Sequence, residues 1–236
     1  MKELAPSGRL RFGVVFAPDK SALFIVKDAT GAPDGVTVDL ANELAQKAGL
    51  PIDFTVAPNT GLVTDALAAA SIDAAFMPID EERKKRVDFG PAYCLVESTY
   101  MVTGPSGLKT LAEVDQPHVR VVGIANTTTI RASGRSLKNT QPIAATSIDD
   151  AVTMLKAGKA DAFALGRDSL PAFLPQFPGS RIVDGGFQQT GIAIAVPKGR
   201  PQALAFVTEF MRAAKASGSV RRALDRAGMQ MLAVAP

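Results

Sequence analysis

The sequence predicts an α/β fold built from two similar lobes, each a doubly wound, mostly parallel sheet. Strand and helix patterns alternate through residues 10–77 and begin to alternate again at residue 119, which is the order that builds parallel sheets. The segments LAAASIDAAFM (67–77) and LKAGKADAFAL (155–165) share Leu, Ala and an Asp-Ala pair at equal spacing. Both segments have the pattern of a helix end, a tight turn and a buried strand, so we expect the two halves of the chain to be alike.

The first half of the chain contains five predicted elements. Leu40 and Leu44 lie one helical turn apart, and Gly49 is suited to end their helix. The predicted elements are, in order, a strand at 10–16, a helix at 38–49, a strand at 51–57, a helix at 61–71 and a strand at 72–77.

The second half repeats this order and continues to the C-terminus. The predicted elements are a strand at 119–124, a helix after Thr127, a strand at 142–146, a helix at 148–158, a strand at 160–165 and a strand at 191–197. Two helices follow. Pro201 suits the first turn of the first helix, and Gly218 and Gly228 are predicted to end the two helices.

The composition is that of an ordinary globular protein. The chain has 236 residues, enough for one or two domains, with 47% apolar and 21% charged residues. No apolar run reaches the ~18 residues that a membrane span requires. The 26 Lys and Arg and the 23 acidic residues are scattered, and there is no Trp, so the sequence predicts no nucleic-acid partner.

Several kinds of catalytic and metal site lack the residues that they need. Cys94 is the only cysteine and His118 the only histidine, which leaves zinc sites and Ser-His or Cys-His catalysis without most of their usual groups. No GxxxxGKS or GxxxxGKT phosphate loop occurs, and no GxGxxG follows either leading strand. We therefore expect no cofactor and no metal.

The predicted fold indicates where a ligand binds. In open parallel sheets, the loops and helix N-termini converge at the carboxyl ends of the strands, and ligands bind there. Six segments take this position: 17–22, 57–60, 77–83, 125–129, 145–149 and 165–169.

Two of these segments carry groups suited to a small anion. Arg83 follows a strand end, where a guanidinium can form two hydrogen bonds with one carboxylate. Lys84, Lys85 and Arg86 point in successive directions, so most of them are expected in solvent. The segment NTTT (126–129) opens a helix, and a helix N-terminus with hydroxyl groups binds anions. N-capping alone explains one of the threonines rather than all three.

Asp80 and Asp168 also lie on the candidate loops. Carboxylates at such places serve acid–base chemistry in some proteins, whereas helix capping and surface exposure are their commoner roles.

The order and spacing of several segments resemble the family 3 extracytoplasmic solute-binding proteins, the polar amino-acid-type receptors of ABC importers. The likeness extends almost from end to end of the chain. It rests on the segments GRLRFGV, DGVTVDLANELAQKAGLPIDF, ERKKRVDFGPAY, LKAGKADAFAL and GIAIAVPKG.

The resemblance implies the type II periplasmic binding protein fold, in which two doubly wound α/β lobes are joined by two crossing strands and hold the ligand between them. The crossing strands would be 97–104 and 188–196. Lobe 1 would be discontinuous, made of residues 1–101 and 190–236, and lobe 2 would comprise residues 102–189.

The resemblance also implies a set of ligand contacts. In typical amino-acid receptors of this family, an Arg after the third strand holds the α-carboxylate of the ligand, and its place before VDFGPAY matches Arg83. A Gly-Thr-Thr turn in lobe 2 helps to hold the same carboxylate and matches Thr127, Thr128 and Thr129, with Thr127 where glycine is usual. The expected ligand contacts are Arg83, Asp80, Met77, Pro78, Pro18, Ser21, Asn126, Thr127, Thr128, Thr129, Gly166 and Arg167.

Departures from the family pattern affect the choice of ligand. Asp80 stands where a Thr usually helps to bind the amino group. Gly166, followed by Arg167, stands where an Asp usually pairs with the ligand ammonium, and the first loop reads APDKSALF in place of an aromatic-Pro-Phe arrangement. The loss of one ammonium partner argues against a standard α-amino acid, but Asp80 offers a substitute charge, so amino acids stay open as ligands.

The function implied by the resemblance is that of a transport receptor and not of an enzyme. Its partners would be a small carboxylated solute and the membrane permease of an ABC importer, and the lobes would close around the solute. The alternative on the same fold is a dehydratase of the cyclohexadienyl type, with Asp80, Glu97 or Asp168 as its acid. A third possibility is the sensor domain of a larger receptor.

The resemblance further implies a monomer in the periplasm. Residues 1–14 lack the apolar core of a signal peptide, so we expect that peptide to be absent from this sequence. A cytoplasmic protein is the other interpretation of this N-terminus.

Overall fold

The computed structural model describes residues 2–236, which form two compact α/β units. Unit 1 comprises residues 2–95 and 191–236, and unit 2 comprises Val96–Thr190. The chain therefore leaves the first unit and returns to it. None of the helices described is both long enough and apolar enough to cross a membrane.

Strands and helices follow each other in the predicted alternation. The strands are β1 (Leu10–Val14), β2 (Val26–Lys27), β3 (Pro33–Asp34), β4 (Ile52–Val56), β5 (Ala74–Pro78), β6 (Val87–Val102), β7 (Val121–Ile124), β8 (Ile143–Ala145), β9 (Ala162–Gly166), β10 (Arg181–Ile182) and β11 (Gln188–Pro197). The helices are α1 (Val36–Ala48), α2 (Thr60–Ala68), α3 (Glu81–Lys84), α4 (Leu111–Val114), α5 (Thr128–Ser136), α6 (Ile148–Lys156), α7 (Pro201–Ala216) and α8 (Ser219–Arg226). Two 3₁₀ segments cover Gly104–Ser106 and Leu170–Gln176.

The helices and strands predicted from the sequence all occur with the predicted type, and most of their bounds shift by a few residues. The exception is β6, which begins at Val87, well before the predicted crossing strand. The segment VDFGPAY is therefore part of β6. The sequence did not predict the hairpin of β2 and β3, the short helix α4 or the strand β10. These elements have two to four residues, which is too short for a periodic pattern to appear.

The sheet of unit 1 brings three carboxyl ends to one edge. Its strand order is β4-β1-β5-β11, with β1 parallel to both β4 and β5 and with β11 antiparallel to β5. The aromatic rings of Phe12, Phe76 and Tyr93 pack in its core, with centroids 5.7 and 5.3 Å apart along the series. The loops that follow the three parallel strands therefore start from the same edge of this unit.

Unit 2 has the same plan. Its strand order is β6-β9-β7-β8, with β7 parallel to β8 and β9, and with β6 antiparallel to β9 and β10. Tyr100 is buried in its core, and its hydroxyl lies 2.9 Å from the hydroxyl of Ser133. The carboxyl ends of β7 and β9 are neighbours at one edge of this sheet.

Side-chain caps start the helices that follow these parallel strands. Leu62 N donates to Asn59 Oδ1 (2.9 Å) at the start of α2. Ser147 accepts in the same way from Asp150 N (3.1 Å) at the start of α6. Each cap satisfies a backbone N–H group that has no partner inside its helix. The capped N-termini of α2 and α6 follow within a few residues of the carboxyl ends of β4 and β8.

Candidate functional site

The loop after β5 places Arg83 at the carboxyl edge of unit 1. Strand β5 is buried along its whole length, and two residues, Ile79 and Asp80, separate its end from the start of α3. Arg83 N donates to Asp80 Oδ1 (2.8 Å), so the Asp80 carboxylate caps this short helix. The structure therefore shows the helix-capping role that the sequence analysis named for Asp80.

The Arg83 guanidinium is held between two elements of unit 1. The residue is 2% exposed. Its Nη1 donates to the Pro78 carbonyl oxygen (3.0 Å), and its Nη2 donates to Thr60 Oγ1 (2.7 Å). The side chain thus connects the end of β5 with the first residue of α2, and its orientation is determined by contacts on both sides.

The basic residues after Arg83 lie at the surface, as the sequence predicted. Lys84 and Lys85 form ion pairs of 2.7 Å with Glu81 and Glu82, three residues earlier. Arg86 lies 2.8 Å from Asp65. All six side chains in these pairs are about half exposed or more, so each pair contributes little to stability.

The other residues expected at the site in unit 1 differ in exposure. Met77 is completely buried in the core, and Pro78 is buried beside it. Ser21 is also buried, and its Oγ accepts hydrogen bonds from Leu23 N (3.1 Å) and Phe24 N (2.9 Å), which stabilise a turn. Pro18 is exposed.

In unit 2, the threonine segment opens α5. Thr127 is the N-cap: its Oγ1 accepts from Ile130 N (3.3 Å), and its hydroxyl donates to the Ile124 carbonyl oxygen (2.7 Å). Thr128 is 1% exposed, and within residues 2–236 its buried hydroxyl makes no hydrogen bond. One threonine therefore caps the helix, while the next presents a polar group that capping does not explain.

The residues that flank Thr128 are more accessible. Thr129 is half-buried, and Asn126 is exposed with a φ of 59°. Asparagine tolerates this left-handed backbone better than most residues do, which allows the chain to turn sharply from β7 into α5.

Arg167 is engaged within unit 2. Its Nε donates to the carboxylate of Glu97 on β6, and its Nη2 donates to the carbonyl oxygens of Val183 (3.0 Å) and Gly185 (2.6 Å). Gly186 permits this arrangement, because a Cβ atom at that position would lie 2.3 Å from Glu97 Cγ. Glu97, a candidate acid in the sequence, thus has a structural partner.

Asp168 occupies the space beside Gly166. Ser169 N donates to the Gly166 carbonyl oxygen (3.0 Å), which closes a tight turn after β9. A Cβ atom built on Gly166 would lie 2.7 Å from Asp168 Oδ1. The carboxylate of residue 168 therefore lies where a side chain of residue 166 would begin.

Thr60 is the residue in contact with Arg83 that the sequence did not single out. It is 4% exposed, and its hydroxyl binds the guanidinium directly. The sequence places the segment 57–60 among the candidate loops because this segment follows the carboxyl end of a predicted strand. That position was the only signal available, since threonine at the start of a helix is common.

The described part of the chain, residues 2–236, contains no group of three His, Cys, Asp or Glu residues that could hold a metal ion.

Comparison with protein families gives a match over most of the chain. Residues 14–229 match the model of the bacterial extracellular solute-binding proteins, family 3.

Two relatives differ in how much of their length they share with this chain. A glutamine-binding protein from Geobacillus stearothermophilus is 25% identical over 206 residues, which cover 84% of this chain and 76% of the relative. A membrane-bound lytic murein transglycosylase F from Maricaulis maris is 32% identical over 116 residues, which cover 47% of this chain. The matched part is a quarter (25%) of the length of the transglycosylase.

Solved structures match almost the whole chain. A mutant of ArgBP from T. maritima is 27% identical, with a TM-score of 0.81 over 95% of this chain and 97% of that protein. A proposed ABC-transporter binding component from Wolinella succinogenes, in complex with lysine, is 26% identical, with a TM-score of 0.79 over 93% and 95%. The ancestral amino acid-binding protein AncCDT-1, a precursor of cyclohexadienyl dehydratase, is 25% identical, with a TM-score of 0.80 over 95% and 97%. The fold is that of a type II periplasmic binding protein, as the sequence predicted.

Proposed function

The chain belongs to the bacterial extracellular solute-binding proteins, family 3, and on this basis we propose that it is the substrate-binding protein of an ABC importer for a small carboxylated solute. An amino acid or a related compound is the solute class that we favour. The observation that carries the proposal is the guanidinium of Arg83, held by Pro78 and Thr60 at the carboxyl edge of unit 1.

The chemistry of Arg83 suits a carboxylate. Two of its contacts, to the Pro78 carbonyl and the Thr60 hydroxyl, use two of the five N–H donors of a guanidinium, and the planar group binds carboxylates through paired hydrogen bonds. Because the side chain is nearly buried, its attraction for an anion is screened less by salt than that of a surface arginine.

Unit 2 offers a second group for an anion. The N-terminus of α5 carries backbone N–H groups with a partial positive charge, and the buried Thr128 hydroxyl lies in its first turn. We propose that Thr128 and Thr129 bind an anionic group of the solute at this helix N-terminus.

The relatives support an amino acid as the solute. The names and titles of these proteins refer to glutamine, to ArgBP in an arginine-bound form, to lysine and to amino acids in general. The proposal extends to a membrane permease as partner, to a monomeric state and to a location outside the cytoplasmic membrane, in keeping with the extracellular family.

A thermal-shift screen tests the proposal. The protein would be heated with each of the 20 common L-amino acids and with simple amines and carboxylates, and every positive result would be measured by calorimetry. A solute at about 100 times its Kd adds about 2.7 kcal/mol to stability, which raises the melting temperature visibly. If carboxylates give no shift and amines alone do, the assignment is wrong.

The alternative is a dehydratase of the cyclohexadienyl type. Its support is the likeness to AncCDT-1, a precursor of such an enzyme. Two of its candidate acids have structural contacts, since Asp80 caps α3 and Glu97 pairs with Arg167. Incubation with prephenate or arogenate tests this alternative, because formation of the dehydrated product would identify an enzyme.

A further inference from the structure

We infer that Thr60 is a further residue of the carboxylate-binding site, which positions the guanidinium of Arg83 and donates its own hydroxyl hydrogen to the same solute carboxylate. The inference rests on the proposed role of Arg83. It assigns a function to a loop that the sequence placed at the ligand edge without naming a residue there.

The location of Thr60 suits this role. It is the first residue of α2, directly after the Asn59 cap, in a unit whose strand order is β4-β1-β5. Arg83 starts from the loop after β5, while Thr60 starts from the loop after β4. Their hydrogen bond of 2.7 Å therefore runs along the carboxyl edge, past the end of the strand between them.

The direction of this hydrogen bond follows from the chemistry of the two groups. A guanidinium has only donors, so the Thr60 oxygen must accept from Arg83 Nη2. The hydroxyl hydrogen of Thr60 is then directed away from the guanidinium. Across residues 2–236, the bond from Arg83 is the one hydrogen bond that this hydroxyl makes, so its hydrogen can be donated to an anion that Arg83 attracts.

The same contact limits the rotation of the guanidinium. Pro78 holds Nη1 and Thr60 holds Nη2, which defines the plane of the group. Paired recognition of a carboxylate depends on that plane. Without the Thr60 hydroxyl, the guanidinium would keep one of these two contacts. It would then adopt other orientations and bind the solute carboxylate less tightly.

Thr64 provides a matched control on the same helix. It is 3% exposed, and its hydroxyl donates to the Thr60 carbonyl oxygen (2.9 Å). Replacement of either threonine by valine removes one buried hydroxyl and keeps the shape of the side chain. Only the Thr60 hydroxyl contacts Arg83, so a purely structural role predicts similar effects of the two replacements on binding.

The experiment measures binding of L-arginine, L-lysine and L-glutamine by calorimetry to the wild type, Thr60→Val, Thr60→Ser and Thr64→Val. For the tightest of the three amino acids, the α-carboxamide is measured as well. We expect Thr60→Val to raise the Kd of the amino acid by about 10- to 100-fold, the range for a hydrogen bond to a charged group. Thr60→Ser and Thr64→Val should stay within about threefold of the wild type.

The carboxamide separates a direct role from a general loss of structure. Thr60→Val should change its Kd much less than it changes that of the amino acid, because the carboxamide has no carboxylate. Equal losses for both compounds, or equal effects of Thr60→Val and Thr64→Val, would overturn the inference. If the wild type binds no carboxylated solute in the wider screen, the proposed function itself falls, and this inference falls with it.

Discussion

The carboxylate of Asp73 is enclosed by the guanidinium of Arg11. Nε and Nη2 of Arg11 lie 2.9 and 2.8 Å from the two carboxylate oxygens, and the Asp73 side chain has no exposed surface. Arg11 Nη2 also donates to the carbonyl oxygen of Ala70, in the turn between α2 and β5 (2.9 Å). The pair therefore joins the start of β1 to the turn before β5.

Unit 2 contains the same arrangement. Nε and Nη2 of Arg120 lie 2.9 and 2.7 Å from the two oxygens of Asp161. Nη1 donates to the carbonyl oxygen of Gly158, in the turn before β9. The Asp-Ala pair shared by 67–77 and 155–165 thus marks one structural motif that occurs in each unit.

Replacement of Asp73 should destabilise the protein in a pH-dependent manner. Burial raises the pKa of Asp73, but hydrogen bonds from Arg11 and Arg200 outweigh burial and hold the pKa below its usual range. The pair therefore stabilises the fold fully above about pH 5, and its contribution is lost as the pH falls through the usual Asp pKa of about 3.9 toward the folded value. At pH 7, we expect Asp73→Asn to lower the free energy of unfolding by about 2–4 kcal/mol.

Urea unfolding between pH 3 and pH 7 measures this difference, which should shrink at low pH. The exposed pair of Arg9 and Asp53 supplies the control, since Asp53→Asn should leave the unfolding curve essentially unchanged. A constant difference between the wild type and Asp73→Asn at every pH would contradict the proposed cause.

The substitutions Ala70→Gly and Gly158→Ala should change the free energy of unfolding in opposite directions. Ala70 has a φ of 54° and Gly158 a φ of 64°, at matching places of the two motifs. This left-handed backbone costs roughly 1–2 kcal/mol for a residue with a Cβ atom and little for glycine. The position at Gly158 has open space, so backbone strain alone decides the outcome there.

We therefore expect Ala70→Gly to raise the free energy of unfolding by about 0.5–1 kcal/mol, after the greater freedom of glycine in the unfolded chain is subtracted. Gly158→Ala should lower the same quantity by about 1 kcal/mol. Thermal unfolding measures both, and a change of the same sign in the two variants would argue against strain at residue 70.

Removal of Arg83 should abolish binding. The loss of a nearly buried charge that pairs with a carboxylate is expected to raise the Kd by about 100-fold or more. Lys85→Ala, which removes a surface charge two residues away, should bind like the wild type. Calorimetry with the tightest solute of the screen makes the comparison.

Arg83→Lys tests the same role in a variant that keeps the positive charge. It loses the planar fork of the guanidinium, so we expect an intermediate loss of affinity. This variant takes the place of Arg83→Ala in the comparison if the alanine variant folds poorly. Wild-type affinity in Arg83→Ala, or a large loss in Lys85→Ala, would show that another base holds the solute.

Asp80 should contribute separately to stability and to binding. Asparagine caps helices as well as aspartate does, so Asp80→Asn should melt like the wild type, while Asp80→Ala should lose about 1 kcal/mol of stability. If Asp80 accepts the ammonium of an amino acid, both variants bind that amino acid about tenfold more weakly.

The variant Asp168→Asn tests the other candidate acceptor of the ammonium, and Asp184→Asn is its control. Asp184 is an exposed acid of unit 2, and its replacement controls for the general change in charge. Should Asp168→Asn lose affinity while Asp80→Asn binds like the wild type, the ammonium acceptor lies beside Gly166 in unit 2.

Local patterns were sufficient to predict most of the fold. The alternation of strands and helices, the position of Arg83 after a strand end and the start of a helix after Thr127 all depend on residues close together in the chain. The order of such segments also carries the resemblance to the family. The short hairpin of β2 and β3 was missed, because two-residue strands carry no periodic signal.

The sequence by itself determined the α/β class, the internal repeat and the loops at the carboxyl edges, since each depends on hydrophobic periodicity or on spacing along the chain. The family followed from the resemblance of several segments to those of known solute-binding proteins. The tertiary structure alone decided which side chains meet there. Thr60 and Arg83 are 23 residues apart, and Glu97 and Arg167 are 70 apart. Such pairs depend on how separate strands align in a sheet, so Thr60 was identified only once β4, β1 and β5 were placed side by side.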